Sequence, residues 1–140
     1  MSECTIIRPG GSFTGRQGLE YAAGVSAETA GARAICMHRL TLPPGGRARA
    51  HLHEDHESAI YVISGTADFW SGPRLEHHVV VGPGEFLHIP AGVPHLPANT
   101  RAETVEAVLA RSDPHEQERV VTLPELDALP HLPPHGDVRA

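Results

Sequence analysis

Three histidines stand in segments that can hold an imidazole ring rigidly. His51 and His53 begin the segment HLHEDHESAIYVISG, and His95 follows a Pro90-Ala91-Gly92 turn in the segment GEFLHIPAGVPHLPAN. Side chains alternate between the two faces of a strand, so His51 and His53 are predicted to share one face. The rigid turn fixes the direction of His95. Because imidazole is the commonest protein ligand for transition metals, this spacing predicts a metal site.

The other histidines support a plainer interpretation when they are taken singly. Histidine occupies 11 of 140 positions, so some close pairs are expected by chance. An isolated histidine is most often solvated or packed against its neighbours. The metal hypothesis therefore depends on His51, His53 and His95 acting together.

Both histidine segments resemble the two sequence motifs of the cupin family. The matching residues are Gly45 or Gly46, His51, His53, Tyr61-Val62 and Gly65 in the first motif, and Gly84, Pro90, Gly92, His95 and Asn99 in the second. The resemblance implies an all-β fold, an antiparallel double-sheet jelly-roll barrel. It also implies one divalent transition metal ion (Zn, Fe, Ni, Cu or Mn) in the barrel mouth, held by His51, His53, His95 and a glutamate.

The glutamate is the point at which the chain departs from the motif. Ser58 occupies its expected position, and Glu57 lies one residue earlier. A shift of one residue turns a side chain to the opposite face, so Glu57 reaches the metal only if a bulge or loop start lies before Ile60. Glu57 is the preferred fourth ligand. The alternatives are His56, which shares the parity of Ser58, and a site of three histidines alone.

Composition limits the classes of function. The net charge of −6 and the lack of an arginine cluster with interleaved aromatics argue against a nucleic acid partner. All 11 basic residues are arginine, so the chain has no lysine for Schiff-base chemistry. It has no apolar run that could span a bilayer and no signal-peptide pattern, so we expect no membrane partner and a cytoplasmic location.

Short apolar runs between Gly and Pro turns predict an all-β domain with less than about a tenth of its residues in helices. The predicted strands are Ala32–Leu42, Ala48–His53, Ala59–Ser64, Thr66–Trp70, Glu76–Val81, Glu85–Ile89 and Thr104–Ala110. The predicted organisation is an N-terminal arm or edge strand (1–31), the barrel (32–122) and a Pro-rich C-terminal tail, or an arm that packs on a neighbour (123–140). Arg47 and Arg49 are predicted to face solvent by strand alternation.

A metal site with an open coordination position is typical of an enzyme. We therefore expect a metal-dependent enzyme of the dioxygenase, isomerase or cyclase type that acts on a small organic molecule. The candidate catalytic residues are His56, His88 and Tyr61. The alternative is a metal-containing protein that binds or senses a small molecule without turnover. Edge strands and Pro-rich ends suggest a homodimer.

Overall fold

The computed structural model describes residues 3–8, 10–117 and 119–134. Helical structure in this part of the chain is limited to α1 (Ala27–Ala30) and a 3-10 turn at Pro124–Leu126. The strands are β1 (Ser12–Thr14), β2 (Glu20–Val25), β3 (Cys36–Leu42), β4 (His51–Leu52), β5 (Ser58–Ser64), β6 (Ala67–Ser71), β7 (His77–Val81), β8 (Phe86–Ile89), β9 (His95–Ala98), β10 (Val105–Arg111) and β11 (Val121–Thr122).

The strands form two antiparallel sheets. A six-stranded sheet has the order β1-β2-β3-β10-β5-β8, and a five-stranded sheet has the order β11-β4-β9-β6-β7. The predicted all-β jelly-roll fold and its low helix content are confirmed for the described residues.

Strict alternation in the long strands explains the hydrophobic core. In β3, β5 and β10, buried and exposed residues alternate over most of each strand. The buried set includes Leu40, Ile60 and Leu109 from the six-stranded sheet, and they pack against Phe69 and Val81 from the other sheet. Each strand thus places one apolar face between the sheets, as a half-buried strand should.

A second apolar cluster covers the outer face of the five-stranded sheet. Ala50, Trp70 and Leu96 of this sheet lie against Leu126 and Leu132 of the C-terminal segment. Residues 123–134 therefore pack on their own chain, which differs from the predicted tail or neighbour-packing arm. The last six residues of that predicted element, 135–140, lie outside the described residues.

A buried ion pair between Arg47 and Asp127 holds this C-terminal segment in place. The Arg47 side chain is only 1% exposed, and its guanidinium donates to an Asp127 carboxylate oxygen at 2.8 Å and to the Pro133 carbonyl at 2.8 Å. Burial lowers the pKa of Arg47, and the charge of Asp127 opposes that shift. The prediction that Arg47 faces solvent is wrong, because the C-terminal segment covers the face towards which it points. Arg49 is exposed as predicted.

Five of the seven predicted strands match observed strands to within one residue at each end. The predicted strand Ala32–Leu42 begins four residues before β3, and the predicted strand Ala48–His53 extends beyond β4 at both ends. The predicted N-terminal arm contains β1 and β2, which extend the six-stranded sheet from β3. β9, which begins at His95, was not predicted. Pro97 lies inside it, and proline in an apparent strand ordinarily argues against that assignment. In the described part of the chain, no helix is long and apolar enough to cross a membrane.

Removing the Asp127 carboxylate should destabilise the fold. The Asp127→Ala change leaves the buried Arg47 charge without this carboxylate, and losing one member of a buried pair costs about 3 kcal/mol. We expect a correspondingly lower free energy of unfolding in urea titrations. Glu125→Ala, in the same segment but exposed, is the control and should change stability little. Equal unfolding midpoints for the two variants would contradict this account of the C-terminal segment.

Candidate metal centre

Two neighbouring strands position the three histidines. β4 pairs with β9 in a register that puts His51 directly opposite His95, and their ring centroids are 4.2 Å apart. His53 follows β4 on the same face as His51, with its ring centroid 5.0 Å from each of the other two. The turn before β9 is tied to this strand, since the Gly92 N–H donates to the His53 carbonyl at 2.6 Å. The fold therefore brings together the three histidines that the sequence predicts to act together.

Backbone carbonyls orient two of the rings. Nδ1 of His51 lies 2.6 Å from the Arg49 carbonyl oxygen, and Nδ1 of His95 lies 2.9 Å from the Val93 carbonyl oxygen. A carbonyl only accepts, so Nδ1 carries the proton in both rings and Nε2 keeps its lone pair. Each of the three histidines offers a nitrogen, and these atoms all lie within 4.8 Å of one another. Three buried imidazoles with converging nitrogen atoms fit a transition metal ion.

The histidines line a small cavity between the two sheets. Its volume is about 20 Å³, and Ser58, Gln17 and Arg111 are among the other lining residues. A wider pocket of about 150 Å³ adjoins it and shares the lining residues Phe69, Ile89 and His95. The three histidines therefore lie between a narrow interior cavity and a larger pocket.

Glu57 does not lie with the three histidines. Its side chain is 61% exposed on the outer face, where its carboxylate accepts from His88 Nε2 at 2.7 Å. The expectation that a bulge turns Glu57 inward needs correction. Glu57 and Ser112 exchange backbone and hydroxyl hydrogen bonds that extend the pairing of β5 with β10, so the alternation stays regular and Ser58 faces the cavity.

The three candidate catalytic residues have different locations. His56 is buried, with its ring centroid 4.8 Å from that of His53 and its Nδ1 3.9 Å from an Asp113 carboxylate oxygen. It is not part of the three-histidine group. Tyr61 lies on the outer face of β5 and contacts Phe86, which differs from a position in the pocket.

His88 borders the wider pocket but does not direct its ring into the cavity. It is among the residues that line this pocket, yet its side chain is 62% exposed and pairs with Glu57 outside the barrel. The strand alternation of β8 explains this placement, because Leu87 and Ile89 are the more buried residues on either side of it. A proton-transfer role would require the His88 ring to turn.

Sequence analysis missed the polar groups that line the cavity with the histidines. Arg111 is the last residue of a regular alternation in β10, where Val105, Ala107 and Leu109 are the other buried positions. This alternation indicates that Arg111 faces inward, because it continues one residue beyond the predicted end of the strand at Ala110. Gln17 comes from a turn between β1 and β2, so no periodic pattern points to it.

No aspartate or glutamate is among the described residues that line the cavity. The buried carboxylate of Asp68 lies instead on the outer face of β6, where Thr100, His78 and Arg101 contact it. Burial raises the pKa of Asp68, but these hydrogen bonds and the charge of Arg101 outweigh burial, so its pKa lies below the ordinary value. The interior of the barrel therefore has a neutral to cationic lining.

Family comparison agrees with this geometry. The family model described as "Cupin domain" matches residues 38–110, which is just over half of the chain and contains all three histidines. The chain belongs to the cupin family. This cupin is 34% identical over 53 residues to quercetin 2,3-dioxygenase of Bacillus subtilis (strain 168). That match spans 38% of this chain and only 15% of the dioxygenase.

Solved structures share the fold of this cupin at low sequence identity. A candidate sugar phosphate isomerase of Acidithiobacillus ferrooxidans superposes with a TM-score of 0.62 at 22% identity, covering 79% of this chain and 71% of that one. The Bacillus subtilis oxalate decarboxylase, described with Mn(II) centres, gives 0.65 at 20% identity over 76% of this chain and 28% of that one. At these identities the likeness concerns the fold alone.

The outward position of Glu57 predicts that it contributes little to metal binding. Glu57→Ala should retain metal with wild-type affinity in competition with a chromogenic chelator, because its carboxylate lies on the outer face. The matched control is Glu54→Ala, an exposed glutamate three residues earlier. A loss of affinity in Glu57→Ala but not in Glu54→Ala would show that the carboxylate turns inward when metal binds.

Proposed function

We propose that this cupin binds one divalent transition metal ion through His51, His53 and His95 and acts as an enzyme on a small organic molecule. The observation that carries the proposal is the convergence of three buried imidazoles, two of them held by carbonyls in the tautomer that leaves Nε2 as a ligand atom. The oxalate decarboxylase that shares this fold is described with Mn(II) centres, which agrees with the proposal.

A bound metal would supply Lewis-acid polarisation of a substrate oxygen or a site for O₂. Three protein ligands leave coordination positions open, which distinguishes catalytic from closed structural sites. Fe or Cu would favour a dioxygenase reaction, whereas Zn would favour isomerisation or cyclisation. The proposal covers these reaction types together, since the fold hosts more than one chemistry.

The surroundings of the histidines suit a small, partly apolar substrate. The wider pocket has apolar walls that include Phe69, Val79, Leu87 and Ile89. Its volume of about 150 Å³ corresponds to roughly ten water-sized groups. Such walls exclude bulk water from the inner cavity, where an electrostatic interaction is stronger than in solvent. Ser58, which lines the cavity, and His56, whose ring centroid lies 4.8 Å from that of His53, could hold or move a proton.

The remaining parts of the functional hypothesis stay predictions. The cytoplasmic location, the homodimer and the absence of nucleic acid and membrane partners come from the sequence. They do not affect the proposed metal site.

Elemental analysis of untagged protein, purified without chelator, is the first test. We expect about one transition metal ion per chain, and its loss in His51→Ala, His53→Ala and His95→Ala, because each removes one of three ligands. His115→Ala is the control, since this histidine is exposed outside the cavity, and it should keep full occupancy. Metal-free wild-type protein that takes up no added Zn, Fe, Ni, Cu or Mn would contradict the proposal.

Turnover is tested separately from metal binding. Metal-loaded wild type and the His51→Ala variant, which is expected to lack metal, are incubated aerobically with a mixture of small organic molecules, and mass spectrometry follows the loss of each compound. We expect conversion by the wild type alone. Stoichiometric metal together with ligand binding but no conversion of the bound compound would instead favour the non-catalytic binding or sensor function.

A further inference from the structure

We propose that Arg111 is a substrate-binding residue and that the substrate of the metal centre is a small carboxylate. This inference rests on the proposed function and specifies its substrate class. Three observations lead to it: a buried guanidinium in the cavity of the histidines, a cavity lining without carboxylates among the described residues, and two buried polar atoms, Gln17 Oε1 and Ser58 Oγ, that have no hydrogen-bond partner in the described structure.

The first observation is the location of Arg111. It ends β10, facing the interior, and its backbone pairs with Ser58 on one side and Cys36 on the other. The residue is only 4% exposed. Its guanidinium carbon lies 5.2 Å from the centroid of the Tyr21 ring, and its Nη1 lies 3.6 Å from the Cys36 sulfur. The guanidinium is thus buried, and Arg111 is among the residues that line the cavity of the three histidines.

The second observation is the character of the shared cavity. Arg111 lines it together with all three histidines, and no acidic residue is among the described lining residues. A divalent ion held by three neutral imidazoles would add two positive charges to this space. Interactions between charges are strong where water is excluded, so the combined field favours an anionic ligand. Arginine also binds a carboxylate through two parallel N–H donors.

The third observation concerns Gln17 and Ser58, which line the same cavity. Both are 3% exposed, and neither Gln17 Oε1 nor Ser58 Oγ has a hydrogen-bond partner within the described structure. The Gln17 amide is held at its other end, where Nε2 donates to the Tyr21 hydroxyl. Burying a polar atom without a partner is unfavourable, so these two groups indicate a polar ligand at this position. The Ser58 hydroxyl can donate to a carboxylate oxygen, whereas Gln17 Oε1 only accepts and requires a donor, such as a hydroxyl group on the same ligand.

The size of the two spaces sets the shape of the ligand. The inner cavity, at about 20 Å³, holds little more than one water-sized group. It therefore admits only the oxygen end of a ligand, and the rest must lie in the wider pocket that shares Phe69, Ile89 and His95. We infer a compact organic acid whose carboxylate points inward towards Arg111 and whose body contacts the apolar walls.

The test compares glycolate with glycolamide, its neutral analogue, on the Co²⁺-loaded protein. Calorimetry gives both affinities, and the visible Co²⁺ spectrum reports on the metal site independently of activity. We expect glycolate to bind at least about tenfold more tightly than glycolamide, and Arg111→Gln to reduce that preference to the smaller part that the metal charge alone supplies, as the loss of a charge-assisted contact predicts. Arg33→Gln, which changes an exposed arginine with no role in the site, is the control and should keep the preference.

The outcomes separate the two proposals. If wild type binds Co²⁺ but shows equal affinity for the two compounds, or if Arg111→Gln keeps the full wild-type preference, Arg111 does not select a carboxylate, although the proposed metal centre is still supported. If wild type binds no metal, the proposed function fails first. If Arg111→Gln does not fold, Arg111→Lys provides a second test. It keeps the charge without the bidentate geometry, so the preference should shrink but persist, and an unchanged preference would contradict the proposed paired contact.

Discussion

The antiparallel pairing of β4 with β9 is the constraint on which the candidate site depends. β4 has only two residues, yet it carries His51 and leads directly into His53. Pairing with β9 places His51 opposite His95, and the hydrogen bond from Gly92 to His53 fixes the third ring relative to the other two. Without this register, the three imidazoles would not share one point.

So short a strand needs support from its other side, and the C-terminal segment provides it. β11 pairs with β4, and Asp127 accepts from the Ala50 N–H at 2.8 Å, one residue before His51. The same carboxylate neutralises Arg47, while Leu126 and Leu132 cover the outer face of the sheet. A segment distant from the cavity thus stabilises the strand that carries His51 and leads into His53, two of the three proposed ligands. Rigid support of this kind is what a metal site requires of its surroundings.

The sequence predicted what depends on local alternation and missed what depends on tertiary packing. The long strands and the grouping of His51, His53 and His95 follow from period-two patterns and turn residues, and the family comparison agrees. The predicted exposure of Arg47 is wrong because alternation indicates which face of the sheet a side chain takes but not whether another segment covers that face. Glu57 lies on the outer face and not on the predicted inner face, because its hydrogen bonds with Ser112 keep the strand regular where an inward position would need a bulge.

The polar lining of the cavity illustrates the same limit. Arg111 and Gln17 lie 94 positions apart in the chain, and only the pairing of β10 with β3 and β5 and the turn after β1 bring them to one cavity. No single segment contains that information. By contrast, His51 and His53 lie two residues apart in one short motif, which explains why the metal hypothesis could be formed from the sequence.

X-ray absorption spectroscopy of the metal-loaded protein tests the central claim most directly. The account predicts three imidazole nitrogens at about 2.0 to 2.2 Å, with the remaining positions filled by exchangeable oxygen ligands. The spectrum should lose one imidazole contribution in His95→Ala and remain unchanged in Glu57→Ala. A centre with two imidazoles or fewer in the wild type, or a spectrum that changes in Glu57→Ala, would contradict it.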